Sequence, residues 1–252
     1  MCTGIELVAE NALQKWKELA GPENSIQAKM NAPSTIRAAY GKDGIRNAVH
    51  HATSFQQKKA EMDLFFSPEM RTTAMFSNCT CCVIKPHIVN AGLAGQIIDI
   101  ILEEGFEISA MQMFNLDRPT AEEFLEIYRG VLPEFVPITE QMTTGPCIAL
   151  EVRQENAVKA FRDLCGPMDP DIAKNLRPNT LRARFGIDRA RNAVHCTDLP
   201  EDGTLECEYF FSIQQEWTTA SVSNKKKQSK IYIILNCCLH LLLLHTIIIN
   251  NF

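Results

Sequence analysis

Residues 10–22 read ENALQKWKELAGP, and residues 155–167 read ENAVKAFRDLCGP. The similarity extends without a gap over Glu6–Phe66 and Glu151–Phe211 at a constant offset of 145, with 23 of the 61 aligned positions identical. A period of this length is too long for a solenoid repeat, whose unit has about 20–50 residues. The sequence therefore predicts two tandem domains of the same fold.

The two predicted domains differ in length. The second has about 70 residues ahead of the repeated segment, from Cys79 to Leu150, whereas the first has almost none. We therefore expect residues 1–70 to be the rear half of a truncated first domain, residues 71–77 a linker and residues 78–213 a complete second domain. A sheet that lacks its first strands leaves backbone groups unpaired and apolar faces uncovered, so the first domain is expected to be unstable alone.

Strand and helix patterns alternate along the second domain. The short apolar runs CCVIK (81–85) and CIALEV (147–152) are typical of buried strands, and FEISAMQMF (106–114) alternates as a strand does. Residues 92–105, GLAGQIIDIILEEG, have the apolar period of a helix that closes on Gly105. These patterns predict a sheet covered by helices.

A capping box predicts the start of a further helix. Thr120 is followed three residues later by Glu123, and the helical sequence AEEFLEIYRG occupies residues 121–130. With this helix and the repeated ENAVKAFRDLCG segment, the predicted order is β-α-β-α-β-α-β. The fold class is therefore predicted to be α/β (α+β), a ferredoxin-like sheet with helices.

The chain as a whole has an ordinary globular composition, with 46% hydrophobic and 22% charged residues among 252. Its formal net charge is only −5, which argues against nucleic acid or a membrane surface as a partner. One segment departs from this average, because residues 174–191 contain six basic residues and a single acidic residue, Asp188. Such a segment is either a solvated face or a binding surface for phosphate groups.

Ten cysteines raise the question of disulfides or a metal site. The N-terminal sequence MCTGIELVAE lacks the basic and apolar segments of a signal peptide, so we expect a cytoplasmic chain with reduced cysteines. Cys79, Cys81 and Cys82 lie in an apolar run, and Cys147 and Cys165 also have apolar neighbours. Because no CxxC pair with matching histidines occurs, these residues are expected to be buried side chains and not metal ligands.

The last segment, residues 214–252, has a different character from both domains and is expected to lie outside the fold. A lysine-rich stretch at residues 225–230 precedes an apolar run of 19 residues, 231–249. A run of this length just suffices to cross a bilayer, and flanking lysines are typical of a tail anchor. The polar residues inside the run favour the other interpretation, sequence that belongs to no domain, so membrane attachment is not expected.

Residues 191–198, RNAVHCTD, contain the side chain with the clearest catalytic chemistry, His195. An imidazole has a pKa near 6.5 and is nucleophilic when neutral. A carboxylate can fix its tautomer, and Glu206 follows eleven residues later, a distance that a turn and a helix can fold back. Since the sequence has no glycine-rich P-loop and no protein-kinase motif, a phosphoryl transfer would have to use this histidine and the basic side chains near it.

Four separated motifs of the second domain resemble the nucleoside diphosphate kinase family. They are IKPHIVNAGLAG (84–95), TTGPCIALEV (143–152), LRARFG (181–186) and RNAVHCTD (191–198). The resemblance covers Cys79–Phe211 and the rear half of a first domain, as in tandem-domain members of the family. It implies a ping-pong reaction in which a nucleoside triphosphate gives its γ-phosphoryl group to the histidine and a nucleoside diphosphate collects it.

The resemblance also implies roles for individual residues. His195 would be the phosphorylated histidine and Glu206 the carboxylate that orients it. The residues implied to bind the nucleotide are Lys85, Tyr128, Phe135, Arg162, Arg182, Asn192 and Thr197. Phe135 is the expected base-stacking aromatic, with Glu134 as the alternative for that position. The implied ligands are nucleoside di- and triphosphates, with Mg²⁺ carried by their phosphates and not by the protein.

Four positions differ from the family pattern. Cys196 and Thr197 replace a glycine and a serine, His87 replaces an aspartate, and Met168 replaces a threonine that contacts phosphate. A side chain at position 196 is expected to crowd the phosphate pocket, or to strain the backbone if φ is positive. Losing the threonine removes one hydrogen-bond donor, worth about 0.5–1.5 kcal/mol. Thr197 keeps the hydroxyl that can bond to Glu206, so activity is expected to be weakened and not abolished.

The first domain departs further from the pattern. Its vestigial equivalents of the site residues are His50, Arg37, Asn47 and Glu61. Lys17 stands at the position of Arg162 and Ala52 at that of Thr197, and no Lys-Pro strand or tyrosine segment precedes them. A histidine without its phosphate-binding lysine transfers poorly, so the first domain is expected to have no catalytic activity.

Two classes of function are consistent with these features. In the first, the second domain is a phosphotransferase. In the second, the duplicated fold is a docking surface in microtubule, ciliary axoneme or centrosome assemblies, with little catalysis, as the tandem resemblance implies. The departures at Cys196 and Met168 and the truncated first domain favour the second class, and the retained site residues favour the first. The resemblance further implies an oligomer, in the cytoplasm or on the cytoskeleton.

Overall fold

The computed structural model describes residues 4–7, 9–66, 72–213 and 232–234. The chain divides into two compact units. One contains residues 6–66 of the first domain, and the other contains the second domain together with the short strands at residues 4–5 and 232–234.

An antiparallel sheet forms the centre of the second domain. Its strands are β1 (Gly4–Ile5), β2 (Cys79–Ile84), β3 (Glu107–Phe114), β4 (Cys147–Arg153), β5 (Val194–Cys196) and β6 (Tyr232–Ile234). They lie in the order β1-β6-β3-β4-β2-β5. The four strands of the second domain thus follow the order second, third, first, fourth, with every pair antiparallel. This arrangement of sheet and helices confirms the predicted ferredoxin-like class.

Helices cover the sheet of the second domain. They are α5 (Pro86–Asn90), α6 (Ala94–Glu103), α7 (Arg118–Phe124), a 3₁₀ turn (Glu126–Tyr128), α8 (Phe135–Met142), α9 (Ala157–Cys165), α10 (Pro170–Leu176), α11 (Leu181–Phe185), α12 (Asp202–Glu208) and a π-helical segment (Tyr209–Ile213). Every residue of β2 is buried, because apolar clusters lie on both faces of the sheet. One cluster is built on Ile97 and Ile101 of α6, and the other on Phe210 after α12.

The predicted capping box at Thr120 is wrong. Helix α7 begins three residues before the predicted start, at Arg118, and its N-cap is Asp117, whose carboxylate accepts a hydrogen bond from the Thr120 amide. Asp117 satisfies this orphan amide of the first helical turn as well as a threonine would. Pro119 occupies the first turn, where its missing N–H costs nothing.

Residues 232–234 of the C-terminal segment belong to the sheet, although the whole segment was expected to lie outside the fold. Strand β6 pairs antiparallel with β3, matching Ile233 to Met111, and with β1 on its other side. Without β6 the outer edge of β3 would present unpaired backbone groups, which is the physical reason for a strand there. The remainder of the predicted apolar run lies outside the described residues. Among the helices described, none is both long and apolar enough to cross a membrane.

The first domain consists of helices α1 (Ala12–Ala20), α2 (Ser25–Asn31), α3 (Ile36–Tyr40) and α4 (Phe55–Phe65). The first three match α9, α10 and α11 residue for residue at the offset of 145. Both copies also place an alanine at positive φ before the histidine segment, Ala48 at 71° and Ala193 at 73°. The repeated sequence therefore forms the same local structure twice.

Candidate active site

His195 lies on the short strand β5, opposite Val83 of the buried strand β2. Its Nε2 is 2.8 Å from Oε2 of Glu206, which comes from α12. Since a carboxylate accepts, the hydrogen-bond pattern assigns the proton of the neutral ring to Nε2 and the lone pair to Nδ1. Within the described part of the chain, Nδ1 has no hydrogen-bond partner. The ring therefore has one oriented nitrogen and one nucleophilic nitrogen.

A second hydrogen bond fixes the carboxylate of Glu206. The Thr197 hydroxyl donates to Glu206 Oε2 at 2.9 Å and itself accepts from the Cys81 amide at 3.1 Å. The sequence predicted this hydrogen bond to Glu206, because Thr197 keeps the hydroxyl of the serine usual at this position. The Thr197 side chain is fully buried, so its contact is with Glu206 and not with the nucleotide side of the site. Thr197 therefore holds the Glu206 carboxylate in position and does not contact the cavity.

A cavity of about 540 Å³ lies beside His195. It brings together six of the predicted residues, which are Lys85, Tyr128, Arg162, Arg182, Asn192 and His195. The lining, as far as the described residues go, leaves out Phe135, Thr197 and Glu206. Three of the six residues are basic, so the cavity favours an anionic ligand.

Lys85 contributes a buried ammonium group to this cavity. It is only 3% exposed, and its Nζ donates to the carbonyl of Ala190 at 2.9 Å. Burial, followed by the nearby charge of Arg182, lowers the pKa of Lys85 to about 7. A bound polyanion would favour the charged form and raise this pKa.

Arg182 has a mostly internal set of partners. Its Nη1 donates to the Gly166 carbonyl at 2.8 Å, and its Nε and Nη2 donate to the Val194 carbonyl at 3.4 and 3.2 Å. Nη2 also lies 3.4 Å from Sγ of Cys196. The guanidinium therefore ties α11 to β5, and it also places positive charge beside His195.

Asp198 organises two further cavity residues. The Tyr128 hydroxyl donates to its Oδ2 at 2.6 Å, and Arg162 forms an ion pair with its Oδ1. Burial opposes ionisation of Asp198, but these two partners lower its pKa below the usual value. Burial, together with the bond to Asp198, raises the pKa of Tyr128. The motif RNAVHCTD contains Asp198, and its acidic residue beside the histidine is the signal that could have identified it.

Asn192 is almost fully buried at the end of the cavity. Its Nδ2 donates to the Met168 carbonyl at 3.1 Å. Its Oδ1 is buried and has no hydrogen-bond partner in the described part of the chain. A buried acceptor without a partner is uncommon in folded proteins, and Asn192 is one of the residues that line the cavity.

Neither Phe135, the residue predicted to stack on the base, nor the alternative Glu134 lines the cavity as far as the described residues go. Phe135 begins α8, and its ring lies 4.9 Å from the guanidinium carbon of Arg129 instead of in the cavity. The alternative, Glu134, forms an ion pair with Arg189 at 2.6 Å. Apolar lining comes instead from residues that the sequence did not single out, Val131, Leu132 and Ile138.

The backbone at Cys196 is not strained by a positive φ, which the sequence left open for this position. It lies in the extended strand β5, and the positive φ belongs to Ala193, whose carbonyl accepts from the Lys85 amide at 3.0 Å. Its side chain does line the cavity, as does that of Met168. His87 is half-buried, and this burial lowers its pKa to about 4, so its ring is neutral near pH 7.

The first domain repeats most of these hydrogen bonds. His50 Nε2 is 2.8 Å from Glu61 Oε1, and Asn47 donates to the Glu23 carbonyl at 3.1 Å. Arg37 donates to the carbonyls of Gly21 and Val49 at 2.8 to 3.1 Å. The surroundings differ, because the His50 side chain is 69% exposed and that of His195 only 8%.

One group of potential metal ligands occurs in the described residues, and it lies away from the cavity. Cys79, Glu151 and Cys207 are buried with their ligand atoms within 4.8 Å of one another. The carboxylate of Glu151 already accepts hydrogen bonds from the amides of Met75 and Phe76 at 2.7 and 2.6 Å. Glu151 therefore anchors the segment that precedes β2, and its oxygens are engaged.

Comparison with known proteins decides the family. The model for nucleoside diphosphate kinase matches residues 1–70 and 78–215. The chain belongs to the nucleoside diphosphate kinase family. Nucleoside diphosphate kinase homolog 7 of Rattus norvegicus is 50% identical over 213 residues, and that of Mus musculus 49% identical. The alignment covers 83% of this chain but 54% of each relative, so the chain spans about half their length.

Shorter members of the nucleoside diphosphate kinase family match about half of this chain. Nucleoside diphosphate kinase of Aquifex aeolicus is 37% identical over 133 residues, which cover 53% of this chain and 93% of that protein. In a crystal structure of the Aquifex aeolicus nucleoside diphosphate kinase, the matched region covers 55% of this chain and 97% of the crystallised chain. The TM-score is 0.52 and the sequence identity is 36%. The resemblance read from the sequence motifs is therefore confirmed at the level of family and fold.

Proposed function

We propose that the second domain transfers the γ-phosphoryl group of a nucleoside triphosphate to a nucleoside diphosphate through a phosphohistidine at His195. The observation that carries this proposal is the bond between His195 Nε2 and Glu206, which leaves the Nδ1 lone pair available at a cavity lined by basic residues. A neutral imidazole with a fixed tautomer is a competent nucleophile.

In the first half of the proposed reaction, Nδ1 of His195 attacks the γ-phosphorus as the bond to the bridging oxygen breaks and the nucleoside diphosphate leaves. Glu206 keeps the proton on Nε2 and stabilises the positive charge that develops on the ring. Lys85 and Arg182 neutralise charge on the phosphate oxygens. In the second half, an oxygen of another nucleoside diphosphate attacks the phosphohistidine and restores the neutral ring.

Mg²⁺ is proposed to enter with the nucleotide. This ion takes oxygen ligands in an octahedral arrangement and usually keeps phosphates and water among them. The two carboxylates that line the cavity, Asp163 and Asp198, are both ion-paired with arginines, so the donors present suit a metal carried by phosphate better than one held by the protein. Bound Mg²⁺ would supply further neutralisation of the phosphate charge.

The rest of the nucleotide would extend along the cavity. The unpartnered Oδ1 of Asn192 is a candidate acceptor for a ribose hydroxyl. The apolar side chains of Val131 and Leu132 offer the base a surface without an aromatic ring. This mode of contact selects weakly among bases, so we expect a broad range of nucleotides to be accepted.

The test is a labelling and discharge experiment. The chain is incubated with Mg²⁺ and ATP labelled at the γ-phosphate, and the protein is examined for label that is lost in acid and kept in base, as expected of a phosphohistidine. Addition of unlabelled GDP should then move the label to GTP. His195→Ala should abolish both steps, with His50→Ala as the matched control that retains them. Equal labelling of wild type and His195→Ala would refute the proposal.

A further inference from the structure

The imidazole of His195 has aromatic neighbours as well as its carboxylate. The ring of Phe124, at the end of α7, lies 4.8 Å from the imidazole between centroids, at an interplanar angle of 67°. Tyr128, four residues further on, lies 6.3 Å from the same imidazole at 74°. Tilted aromatic pairs attract each other at centroid distances of about 4.5–7 Å. Phe124 is therefore in edge-to-face contact with the ring that carries the nucleophile.

The hydrogen bond to Glu206 holds the imidazole at one point only, Nε2. Rotation about the Cβ–Cγ bond of a histidine has a broad energy minimum, so the plane of the ring is not set by the side chain itself. The axis of this rotation passes closer to Nε2 than to Nδ1. A tilt that the bond to Glu206 can follow therefore displaces the Nδ1 lone pair by more, and a second contact is needed to aim it.

The Phe124 ring is itself held in place by its neighbours. It is stacked on Tyr209 at 5.5 Å and 27°, and it meets Phe210 at 4.8 Å and 65°. Phe210 is fully buried, and the Tyr209 hydroxyl donates to the Thr120 carbonyl of α7 at 3.1 Å. Tyr209 and Phe210 directly follow α12, the helix that carries Glu206. The same part of the chain thus positions the carboxylate and the Phe124 ring.

Phe124 contacts the histidine without lining the cavity. The lining includes Tyr128 and His195 but, as far as the described residues go, leaves out Phe124. Its contact is therefore with the imidazole and not with the space that a nucleotide would occupy. Phe124 also lies ahead of the repeated segment, in the front half of the second domain, so the offset of 145 gives it no counterpart in the first.

We propose that Phe124 is a positioning residue for phosphoryl transfer, because its ring limits the tilt of the imidazole and keeps the Nδ1 lone pair aimed into the cavity. This inference rests on the proposed function, since it assigns a residue to the same reaction. The attacking atom and the leaving oxygen must be in line with the phosphorus, so an error in the aim of Nδ1 lowers the rate of transfer and not the affinity for nucleotide.

The test compares leucine and tyrosine at position 124 in the full chain. Phe124→Leu keeps an apolar side chain but has no flat face, whereas Phe124→Tyr retains the ring. The rate at which His195 is labelled in a single turnover at saturating MgATP should fall about tenfold in the leucine variant and stay within about twofold of wild type in the tyrosine variant. The affinity for MgADP, measured by calorimetry, should change by less than about twofold in both.

Phe114→Leu is the matched control for lost packing. Phe114 lies 5.1 Å from Phe210 in the same apolar cluster, and within the described part of the chain it is absent from the cavity lining. Because Phe114 is buried, this variant should destabilise the second domain at least as much as Phe124→Leu, as read by native-state hydrogen exchange of the β2 amides. It should nevertheless be labelled at the wild-type rate. Equal slowing in the two leucine variants would overturn the inference, since packing would then explain the loss.

The remaining outcomes separate this inference from the proposed function. Labelling of Phe124→Leu at the wild-type rate would overturn the inference and leave the phosphohistidine intact. Slow labelling together with weaker MgADP binding would also overturn it, because Phe124 would then support the nucleotide site. A wild-type chain without label on His195 would refute the proposed function, and the inference would fall with it. Slow labelling with unchanged MgADP affinity, rescued by tyrosine, is the result that supports it.

Discussion

The two domains contain the same hydrogen-bonded set in different surroundings. His195 with Glu206 and His50 with Glu61 are each joined at 2.8 Å, and the arginine and asparagine contacts also recur at the offset of 145. In the second domain α12 and the residues that follow it cover the sheet, and Phe210 and Phe211 are buried. In the first domain the matching helix α4 has no buried residue.

This difference separates what a local sequence determines from what the rest of a domain supplies. The 61-residue repeat is sufficient to form the helices and to bring a histidine to its carboxylate. Burial of the histidine and the buried lysine both depend on strand β2, which comes from the front half of the second domain. The exposed His50 ring remains hydrated, so its hydrogen bond to Glu61 has less influence on the ring than the buried bond of His195 has.

The largest expected effect concerns the matched phenylalanines at positions 65 and 210. Phe210→Ala should lower the free energy of unfolding of the second domain by about 3–5 kcal/mol, because a fully buried ring leaves a cavity behind. Phe65→Ala, in a helix without buried residues, should change the free energy of unfolding of the first domain by less than about 1 kcal/mol. Native-state hydrogen exchange of the β4 amides measures the first change without assuming a two-state chain. Equal effects would mean that the first domain is packed as tightly as the second.

A smaller effect is expected at the two carboxylates. Glu206→Gln keeps the shape of the side chain but cannot stabilise a positively charged imidazole, so kcat for phosphoryl transfer should fall at least about 10²-fold. Glu61→Gln is the matched control and should leave kcat unchanged. Steady-state assays over a range of GDP concentrations separate kcat from KM. A comparable loss in both variants would contradict the assignment of activity to the second domain alone.

Thr197 marks a chemical difference between the domains, since Ala52 occupies its position in the first. Thr197→Ala should destabilise the second domain by about 1–3 kcal/mol, because the buried Cys81 amide loses its acceptor. Thr197→Ser retains the hydroxyl and should be close to wild type. Urea denaturation followed by hydrogen exchange in β2 compares the three proteins. Similar stability of the serine and alanine variants would show that the hydroxyl contributes little.

Lys85 makes the stability of the second domain depend on pH. The described part of the first domain has no counterpart of this lysine. Its folded pKa of about 7 is below the unfolded 10.5, so between these values the unfolded chain binds more protons. The free energy of unfolding should therefore rise with pH above 7, by about 1 kcal/mol per pH unit from this group. Lys85→Met should reduce that slope between pH 7 and 8.5. An unchanged slope would mean that Lys85 is charged in the folded chain.

The sequence predicted much of the site because the decisive residues lie in short local motifs. The spacing of His195 and Glu206 predicted that the two side chains pair. The repeat at an offset of 145 indicated that the helices of one domain recur at matching positions in the other. In three places the structure differs from the expectation because other contacts compete. Asp117 caps α7 in place of Thr120, and Glu134 and Phe135 contact arginines instead of lining the cavity in the described part of the chain.

The third case is strand β6. Its pairing with β3 depends on the free edge of a sheet and a segment distant in sequence, which no local pattern of residues 214–252 could indicate. Long-range strand pairing is decided by which edges remain open, and that requires knowledge of the assembled sheet. The motif RNAVHCTD marks Asp198 as a candidate, but its partners Tyr128 and Arg162 are distant in sequence and could not be read from the motif.

The location of the phosphoryl group tests the central claim most directly. The full chain is phosphorylated with labelled ATP and Mg²⁺, digested at alkaline pH where phosphohistidine survives, and mapped by mass spectrometry. We predict phosphate on the peptide that contains His195, removed by GDP, and none on the peptide that contains His50. Phosphate on His50, or a transfer activity that leaves His195 unmodified, would contradict the account.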